Sequence, residues 1–508
     1  MCGVGGIILA PGRASLDLDA GLAAMADAMQ HRGPDDRGRY LSPDRRAGLV
    51  SRRLAIRDLS PSGHMPMGAG EGGIWITYNG EIYNTDELRP ELERLGYVFR
   101  SEGDTEVILL GYAAWGEAVV GRLRGMFALG ILDLRPEGRG PRLFLARDRL
   151  GIKPLYYARA GGAFSFASEL RALLVTGLVG REPDEAGLAG YLLLGAVPNP
   201  LTIYRDIRAL EPGCTLTIPL DRALDSSPAP VAYWSPPTET VAPASPEEAI
   251  ARVRALLAEA VRIRLVSDVP LGAFLSGGID SSAVVALMRR ATDGPIRTCS
   301  MAFEEAEYSE ARYARAMAES VGAEHHERVV TAADLAGELD HILGAMDQPT
   351  IDGVNTYFVS QTAREAGLTV ALSGLGGDEL FGGYPNTFAG VPQMRRTLAA
   401  ARTVPGGAAG PRGAIALLPN RSRWAKVHDA LGRPPSPASA YLTRRGLFAP
   451  GEVRALLGPE RWHEAARRFD PVRHIDERAG GLPPGEGFAT QAFAWTSRAE
   501  LRTYTHHQ

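Results

Sequence analysis

The chain has 508 residues, of which 45% are hydrophobic, and this length allows about two to four globular domains. Its 55 basic and 59 acidic side chains leave a formal net charge of −4, which gives no support for a nucleic-acid or membrane-surface partner. Three cysteines are too few for a disulfide framework. No apolar run reaches the ~18 residues of a membrane-spanning helix, and the first ten residues lack the basic start of a signal peptide. These features predict a cytoplasmic protein.

Short β-like segments dominate the first 220 residues. The strand pattern covers residues 3–9, 73–78, 126–133, 143–147 and 163–167, and one clear helical pattern covers residues 17–30. From residue 221 to residue 246 the composition changes to Pro, Ser, Thr and Ala. Such a stretch cannot bury enough apolar surface to fold alone, so it predicts a connection between domains.

Beyond this connection, strands alternate with helices. Ser245 is a predicted helix cap, with Pro246 at the first helical position and Glu248 where a capping box requires an acid. An apolar strand over 271–275 precedes a helix from about Ser281, and a strand over 369–372 precedes a glycine-rich turn. This alternation is typical of a parallel sheet, so the chain is predicted to be a multi-domain α/β protein.

Cys2 directly follows the initiator methionine, and its small side chain permits removal of Met1. Cys2 would then carry a free α-amino group, whose pKa of ~7.7–8.0 allows it to accept the thiol proton near neutral pH. One residue would thus supply both a nucleophile and its base. The alternative interpretation of Cys2 is a small hydrophobic residue at the start of a strand.

Several short motifs follow in a fixed order. They are Cys2-Gly3-Val4-Gly5-Gly6, His31-Arg32-Gly33-Pro34-Asp35, Arg53-Leu54-Ala55-Ile56, Asn79-Gly80-Glu81-Ile82-Tyr83-Asn84 and Gly103-Asp104-Thr105-Glu106. Together they resemble the glutaminase domain of the class II amidotransferases, whose nucleophile is the amino-terminal residue. The resemblance covers residues 2–215 and implies an αββα sandwich for this part of the chain.

The resemblance also implies roles for the matching residues. Cys2 would attack the side-chain amide of glutamine, and the Asn79 side chain with the Gly80 N–H would form the oxyanion hole. Asn-Gly is also a hairpin-turn signal, and both interpretations of this pair can hold. The Arg53 guanidinium would bind the α-carboxylate of glutamine, and Glu81 and Asp104 would face its α-ammonium group. The full set of residues expected to bind glutamine is Arg53, Leu54, Ala55, Ile56, Arg57, Asn79, Gly80, Glu81 and Asp104.

Three further side chains are interpreted as structural. No acid is paired by spacing with His31, which is therefore expected to make a structural hydrogen bond. Cys214 and Cys299 have no partner in the sequence and are expected to be small core residues.

Ser276-Gly277-Gly278-Ile279-Asp280-Ser281-Ser282 lies between a strand pattern and a helical pattern. Glycine N–H groups, hydroxyls and a helix start suit an anion, although a plain turn is the alternative interpretation. The lysine of the GTPase and motor-ATPase loop is absent, and the motif resembles the pyrophosphate loop of adenylating enzymes. With Ser267-Asp268-Val269-Pro270 and the glycine-rich run at 372–384, it resembles the asparagine synthetase family.

This second resemblance implies the nucleotide ligands. The residues expected to contact ATP and its pyrophosphate are Leu275, Ser276, Gly277, Gly278, Asp280, Ser281, Ser282, Met301, Ser373, Gly374 and Asp378. Asp280 and Asp378 would also hold Mg²⁺ through the pyrophosphate, because this cation keeps water and phosphate oxygens and needs few protein ligands. The implied organisation is a glutaminase domain over 2–215, a linker over 216–246 and a synthetase domain over 247–508.

The implied reaction links the two domains. Ammonia from glutamine would pass internally to the second domain, where aspartate, adenylated by ATP, would become asparagine with release of AMP and pyrophosphate. The expected partners are these small molecules, without nucleic acid or membrane, and a homodimer is what the family suggests.

Two features depart from the family pattern. Leu375 stands where well-known bacterial members have a glutamate, and an apolar side chain can neither accept a proton nor hold an ammonium group. The family pattern also continues beyond Thr503-Tyr504, whereas this chain stops at Gln508. A truncation of the synthetase domain at its carboxyl terminus is therefore expected.

Other functions stay open at this stage. Ring-closing relatives such as β-lactam synthetases and lasso-peptide cyclases often lack the working cysteine, which is present here. An amidotransferase that acts on a peptide, sugar-acid or secondary-metabolite carboxylate is favoured by Leu375. A chain with glutaminase activity only, or a non-catalytic protein that keeps the fold, would follow from the expected truncation.

Overall fold

The structure, a computed structural model, describes residues 1–11, 17–69, 73–136, 140–220, 229–238, 243–304, 310–404, 407–416, 421–481 and 488–504. In chain order the strands are β1 Gly3–Leu9, β2 Asp36–Leu41, β3 Ala47–Arg53, β4 Met67–Ala69, β5 Ile74–Ile82, β6 Gly125–Asp133, β7 Arg142–Arg147, β8 Tyr156–Ala160, β9 Ala163–Ala167, β10 Ile207–Ala209, β11 Cys214–Pro219, β12 Val231–Ala232, β13 Leu271–Phe274, β14 Arg297–Phe303, β15 Glu324–Val330 and β16 Val370–Leu372.

The helices, most of which lie in the second half of the chain, are α1 Leu18–Ala28, α2 Thr85–Arg94, α3 Asp104–Trp115, α4 Val119–Arg122, α5 Leu170–Leu174, α6 Glu185–Leu194, α7 Pro246–Arg262, α8 Ile279–Ala291, α9 Ala311–Val321, α10 Ala332–Ala345, α11 Gly353–Glu365, α12 Gly377–Phe381, α13 Pro385–Phe388, α14 Gly390–Ala400, α15 Ala409–Ala416, α16 Arg421–Leu431, α17 Pro437–Arg445, α18 Pro450–Leu457, α19 Pro459–Arg468, α20 Pro471–Ala479 and α21 Phe488–Ala499. A π-helical turn, Glu500–Tyr504, follows α21.

Strands β1 to β12 form two antiparallel sheets of six strands each. Their orders are β10-β8-β9-β1-β3-β2 and β12-β11-β7-β6-β5-β4. The facing sides share a core in which Val4 and Leu49 of the first sheet pack with Ala128 and Leu145 of the second. Helix α1 packs on the outer side of the first sheet and α3 on the outer side of the second. The predicted αββα sandwich is therefore confirmed.

β1 shows why a central strand of this sandwich consists of small and apolar residues. Its sequence is Gly-Val-Gly-Gly-Ile-Ile-Leu, and all seven positions are buried. One face of the strand lies under α1 and the other faces the second sheet, so neither face can carry a polar side chain. This buried strand fixes the position of the residue that precedes it, Cys2.

Strands β13 to β16 form the third sheet, of order β15-β14-β13-β16, and all of its pairs are parallel. Helix α8 connects β13 to β14, α9 connects β14 to β15, and α10 with α11 connects β15 to β16. Ala273 and Leu275 pack against Val285 of α8 and Ala314 of α9 in the core of this unit. The predicted parallel α/β sheet is confirmed.

The amino-terminal half (residues 1–238) and the carboxyl-terminal half (residues 243–504) make polar contacts with each other. Asp347, which follows α10, accepts hydrogen bonds from the N–H groups of Leu170 (2.6 Å) and Arg171 (3.2 Å) at the start of α5. The guanidinium of Arg468 donates to both oxygens of Asp184, at 3.0 and 2.8 Å. Asp184 is fully buried, so part of its charge is balanced by a residue of the other half.

The predicted linker, residues 216–246, contains residues of the second sheet. Most of β11 lies within it, and β12 pairs with β11 through Thr215 and Val231. Residues 221–228 and 239–242 of this stretch lie outside the described residues. In the part of the chain that the structure describes, no helix is both long enough and apolar enough to cross a membrane.

Candidate active site

One pocket lies where the ends of strands from the two facing sheets meet. Antiparallel pairing of β1 with β3 sets Gly3 opposite Arg52, so Cys2 lies beside the last residue of β3. From the second sheet, β5 and the first residue of α3 face the same space. The polar side chains and the cysteine that line this pocket are Cys2, Arg53, Arg57, Tyr78, Asn79, Glu81, Asp104, Thr105 and Lys153.

The nucleophile candidate, Cys2, is held by contacts of both its thiol and its backbone. Its Sγ lies 3.7 Å from the carbonyl oxygen of Leu54, and Nε of Arg32 donates to the Cys2 carbonyl at 3.0 Å. Burial raises the pKa of the Cys2 thiol, so a base must remove its proton near pH 7. Burial lowers the pKa of the Met1 amine to about 5, so this amine is neutral at pH 7.

Two acidic side chains share the opposite wall of the pocket. Asp104 accepts hydrogen bonds from the Tyr78 hydroxyl (2.8 Å) and the Ile82 N–H (2.9 Å), and burial raises the pKa of its carboxyl group. Glu81 is 8% exposed, and its Oε1 has no hydrogen-bond partner among the described residues. An ammonium group in this pocket would compensate both buried charges.

Asn79 places an amide in the same pocket. The residue is 1% exposed, and in the described part of the chain its Nδ2 donates to no acceptor. Leaving such a donor unpaired costs about 1–3 kcal/mol, so a bound ligand is the expected acceptor. A Cβ at the next residue, Gly80, would lie 2.2 Å from the carbonyl oxygen of Met126 on the paired strand, so only glycine fits there. The hairpin-turn interpretation of Asn79-Gly80 is wrong, because both residues lie inside β5.

Residues 54–60, named here the Arg53 loop, bind the guanidinium of Arg53 through their carbonyl groups. Nη1 donates to Ser60 at 3.2 Å, and Nη2 donates to Arg57 at 3.2 Å and to Asp58. These bonds use three of the five N–H donors of the guanidinium. The direction in which the other donors point is therefore set by the path of the loop.

The structure brings nearly all of the predicted glutamine-binding residues into this pocket. The exception is Ala55, whose side chain does not line it and whose N–H donates to Asp35 at 2.8 Å. His31 makes the predicted structural hydrogen bond, from Nε2 to Glu169 at 2.9 Å. Cys214 and Cys299 are buried and free, as predicted.

Sequence reasoning missed several lining residues, of which Tyr78, Thr105 and Lys153 carry polar groups. Tyr78 precedes Asn79 on β5 and fixes Asp104, but a tyrosine in a strand is ordinary and gave no signal. Lys153 is 8% exposed, and its ammonium is the one charge in the run Lys153-Pro154-Leu155-Tyr156-Tyr157. A single charge in such an apolar run indicates a buried lysine with a specific role, and this signal could have identified Lys153 from the sequence.

Glu81 leads to a prediction about pH. Burial and the negative charge of Asp104 raise the pKa of Glu81 to about 7. Its carboxylate is thus ionised above pH 7, where it attracts an ammonium group, and neutral below pH 7, where it does not. We expect kcat/KM for glutamine to fall as the pH falls through 7, and this limb to disappear in Glu81→Gln. The exposed Glu87→Gln serves as the control, and a limb that persists in Glu81→Gln would contradict the assignment.

The loop between β13 and α8 forms a second candidate site. Ser276 Oγ lies 3.0 Å from Ser281 Oγ and accepts a hydrogen bond from the Gly278 N–H at 3.3 Å. Gly277 has a φ of 89°, and a Cβ there would lie 2.7 Å from the Cβ of Tyr313, so the turn requires glycine. The loop ends at the N-terminus of the 13-residue helix α8, where an anion is favoured.

The loop that follows β16 packs directly against the start of α8. A Cβ at Gly374 would lie 2.8 Å from the Ser281 nitrogen, and one at Gly377 would lie 2.2 Å from Oδ2 of Asp280. The two glycine-rich motifs, at 276–282 and 372–384, therefore form one site. Of the predicted ATP ligands, it contains Ser276, Gly277, Gly278, Asp280, Ser281, Ser282, Ser373, Gly374 and Asp378.

The remaining predicted ATP residues are Leu275, directly after β13, and Met301, on β14. Leu275 is fully buried, and its N–H donates to the Cys299 carbonyl at 2.8 Å. Met301 lies on β14 and packs against a cluster that includes Ile342 and Phe358. Leu375, at the tip of the second loop, is 60% exposed.

The carboxylates of this site suit Mg²⁺. Burial raises the pKa of Asp280, and the charges of Asp378 and Glu379 raise it further, so the group favours a cation beside it. Two carboxylates with phosphate oxygens are a usual Mg²⁺ set. Among the residues that the structure describes, no group of three or more His, Cys, Asp or Glu side chains could hold a metal by itself. The acids therefore fit a cation that arrives with a phosphate group.

Family models match both halves of the chain. A model described as glutamine amidotransferase domain matches residues 1–228, and one described as asparagine synthase matches residues 252–505. With the αββα fold and the pocket at Cys2, the first match makes the amino-terminal half a glutamine amidotransferase domain of the amino-terminal-nucleophile type.

Relatives of known name identify the family of the whole chain more closely. A Mycobacterium tuberculosis protein, provisionally named a glutamine-hydrolyzing asparagine synthetase, is 39% identical over 404 residues, which cover 76% of this chain and 60% of the relative. Glutamine-hydrolyzing asparagine synthetase 1 of Bacillus subtilis is 36% identical over 388 residues, which cover 76% of this chain and 59% of the relative. A Methanocaldococcus jannaschii protein, provisionally named glutamine-hydrolyzing asparagine synthetase 2, is 37% identical over 405 residues, covering 76% of each chain.

The chain belongs to the glutamine-hydrolysing asparagine synthetase family. It spans about three fifths of the length of the mycobacterial and Bacillus relatives.

Proposed function

We propose that the protein hydrolyses glutamine at Cys2 and uses the ammonia for the ATP-dependent conversion of aspartate to asparagine. The observation that carries the glutaminase part of this proposal is a pair of groups in the Cys2 pocket, the Asn79 amide donor and the Glu81 carboxylate oxygen, which have no hydrogen-bond partner among the described residues. A donor and an acceptor without partners match the amide oxygen and the α-ammonium group of glutamine.

In the first step, Sγ of Cys2 attacks the side-chain amide carbon of glutamine. After removal of Met1, the α-amine of Cys2 takes the thiol proton and passes it to the leaving nitrogen, so ammonia departs and a thioester forms. Asn79 Nδ2 and the Gly80 N–H donate to the oxyanion of the tetrahedral intermediate. Water then hydrolyses the thioester to glutamate and restores the thiol.

In the second site, the side-chain carboxylate of aspartate attacks the α-phosphorus of ATP. Pyrophosphate leaves, and ammonia displaces AMP from the acyl-adenylate to give asparagine. Ser276 and the N-terminus of α8 would bind the pyrophosphate, and Asp280 with Asp378 would hold Mg²⁺, which neutralises phosphate charge when bound. Ammonia moves internally, because in water near pH 7 it is mostly ammonium, which is not a nucleophile.

Glutamate release from glutamine tests the first half of the proposal. The wild-type chain should release glutamate, and Cys2→Ala should release none while it still binds glutamine in calorimetry. Aspartate-dependent exchange of labelled pyrophosphate into ATP tests the second half. A wild type that releases no glutamate would refute the first half, and exchange that ignores aspartate would refute aspartate as acceptor.

The exposed Leu375 favours a second candidate, an amidotransferase with a different carboxylate acceptor. An apolar side chain that is 60% exposed beside Gly374 and Gly376 offers no charge to the α-ammonium group of aspartate. A carboxylate without a neighbouring ammonium group, on a peptide, sugar acid or secondary metabolite, would meet no such mismatch. Pyrophosphate exchange that such an acid supports and aspartate does not would establish this candidate.

A further inference from the structure

Asp58, in the Arg53 loop, has a backbone conformation that residues other than glycine rarely adopt. Its φ is 54°, in the left-handed region. Such a conformation is unfavourable and persists only where surrounding contacts impose it. The Asp58 carbonyl accepts a hydrogen bond from Arg53, and the Asp58 N–H donates to Oδ2 of Asp268 at 2.9 Å. Asp58 is therefore held between the guanidinium and Asp268.

Asp268 belongs to the other half of the chain, in the segment that leads into β13. It makes two bonds to the Arg53 loop: Oδ2 accepts from the Asp58 N–H, and its own N–H donates to the Ile56 carbonyl at 3.0 Å. The two loop residues flank Arg57, whose Nη1 donates to the Ile82 carbonyl at the end of β5 at 3.0 Å. These bonds fix the direction of the loop as well as its position.

We propose that Asp268 is a positioning residue for the binding of the glutamine α-carboxylate, an inference that rests on the glutaminase activity proposed above. Asp268 does not line the pocket and acts through Asp58 on Arg53. Without the Asp268 carboxylate, Asp58 loses one of the contacts that hold its left-handed conformation and keeps those of its own carboxylate with Ser60. We expect the carbonyl groups that direct the guanidinium to shift as a result. Cys2 precedes β1, where Arg32 also holds its carbonyl, and Asn79 lies on β5. We therefore expect the main effect on the affinity for glutamine and a small effect on the chemical step.

The position of Asp268 distinguishes this role from general stabilisation. The side chain is exposed, so its bond to Asp58 adds little to the free energy of unfolding. The same exposure does not weaken its effect on direction, because the loop has to pass between two fixed points, Asp268 and the end of β5. We therefore expect a change in KM without a change in melting temperature.

Steady-state glutamate release by the 508-residue chain tests the proposal. Asp268→Ala should raise KM for glutamine about tenfold, as for a small misplacement of a substrate-binding group, and leave kcat within about twofold. Asp268→Asn keeps an oxygen acceptor and should restore a KM near that of wild type. Glu259→Ala is the matched control: it breaks a contact between the halves, Arg124 with Glu259 at 2.6 Å, that does not involve the Arg53 loop.

Hydrogen–deuterium exchange of a peptide covering residues 54–60 provides the second measurement. Exchange should be faster in Asp268→Ala than in wild type and unchanged in Glu259→Ala. The proposal would be overturned if Asp268→Ala had the same KM and the same exchange rate as the wild type. It would also be overturned if Glu259→Ala changed both as much as Asp268→Ala does. If the wild type releases no glutamate, the proposed function fails, and unchanged exchange at 54–60 would then overturn the positioning role independently.

Discussion

Replacing Asn79 with alanine is expected to lower kcat for glutamate release by roughly 10²–10³-fold with a small change in KM, as for other oxyanion-hole donors. The Asn79 Nδ2 has no acceptor among the described residues, so its removal breaks no existing hydrogen bond. The loss therefore falls on the transition state, where negative charge develops on the amide oxygen. Initial rates over a range of glutamine concentrations separate the two parameters.

Asn84→Ala is the matched control for this prediction. Asn84 is also a buried asparagine, but its side chain bonds the Arg122 carbonyl (3.0 Å) and the Arg124 N–H (2.8 Å). Its loss should reduce the free energy of unfolding by about 1–3 kcal/mol and leave kcat unchanged. Equal kcat values for Asn79→Ala and wild type would exclude Asn79 from the oxyanion hole.

Adding a single methyl group at Gly383 is expected to weaken Mg-ATP binding by at least about tenfold. A Cβ there would lie 1.6 Å from Oδ1 and 3.0 Å from Cα of Asp378, so the carboxylate has to leave its present position. Displacing one of the two acids removes half of the protein's ligands for the cation. Isothermal titration calorimetry with Mg-ATP measures the effect, and glutamate release should stay within about twofold of wild type.

Two variants make this result interpretable. Gly344→Ala adds the same methyl group near the end of α10, where no atom lies within 4 Å, and should bind Mg-ATP normally. Asp378→Asn removes the charge without added bulk and should reproduce the loss seen in Gly383→Ala. Normal Mg-ATP binding by both Gly383→Ala and Asp378→Asn would show that the cation is held elsewhere.

Sequence patterns predicted strands well where both faces are buried and less well at their ends. Predicted strands 3–9 and 163–167 coincide with β1 and β9. The strand predicted at 73–78 continues to Ile82, because pairing with β6 prevails over the turn preference of Asn79-Gly80. In α7, Ser245 caps the helix as predicted; the apolar residues Ile250, Val253 and Leu257 have helical spacing in the sequence, but Ile250 is 59% exposed. Apolar spacing shows which residues share a helix face and not what covers that face.

The site was predictable to the extent that its residues lie in short motifs. Cys2, Asn79 and Asp104 stand in such motifs, and the structure brings them into one pocket. The bond between Tyr78 and Asp104 depends on the packing of α3 against β5, which no local pattern encodes. The contact of Asp58 with Asp268 joins residues 210 positions apart, and only the folded chain reveals it.

The bond between Asp184 and Arg468 limits how this chain can evolve by recombination. Asp184 begins α6 and is fully buried, and besides Arg468 its carboxylate is paired with Arg208 at 3.2 Å. A crossover that joined this amino-terminal half to the carboxyl-terminal half of a relative without an arginine at that place would remove one of the charges that balance it. Such hybrids lose stability before any question of catalysis arises. We therefore expect the two halves to be exchangeable only between relatives that keep both Asp184 and Arg468.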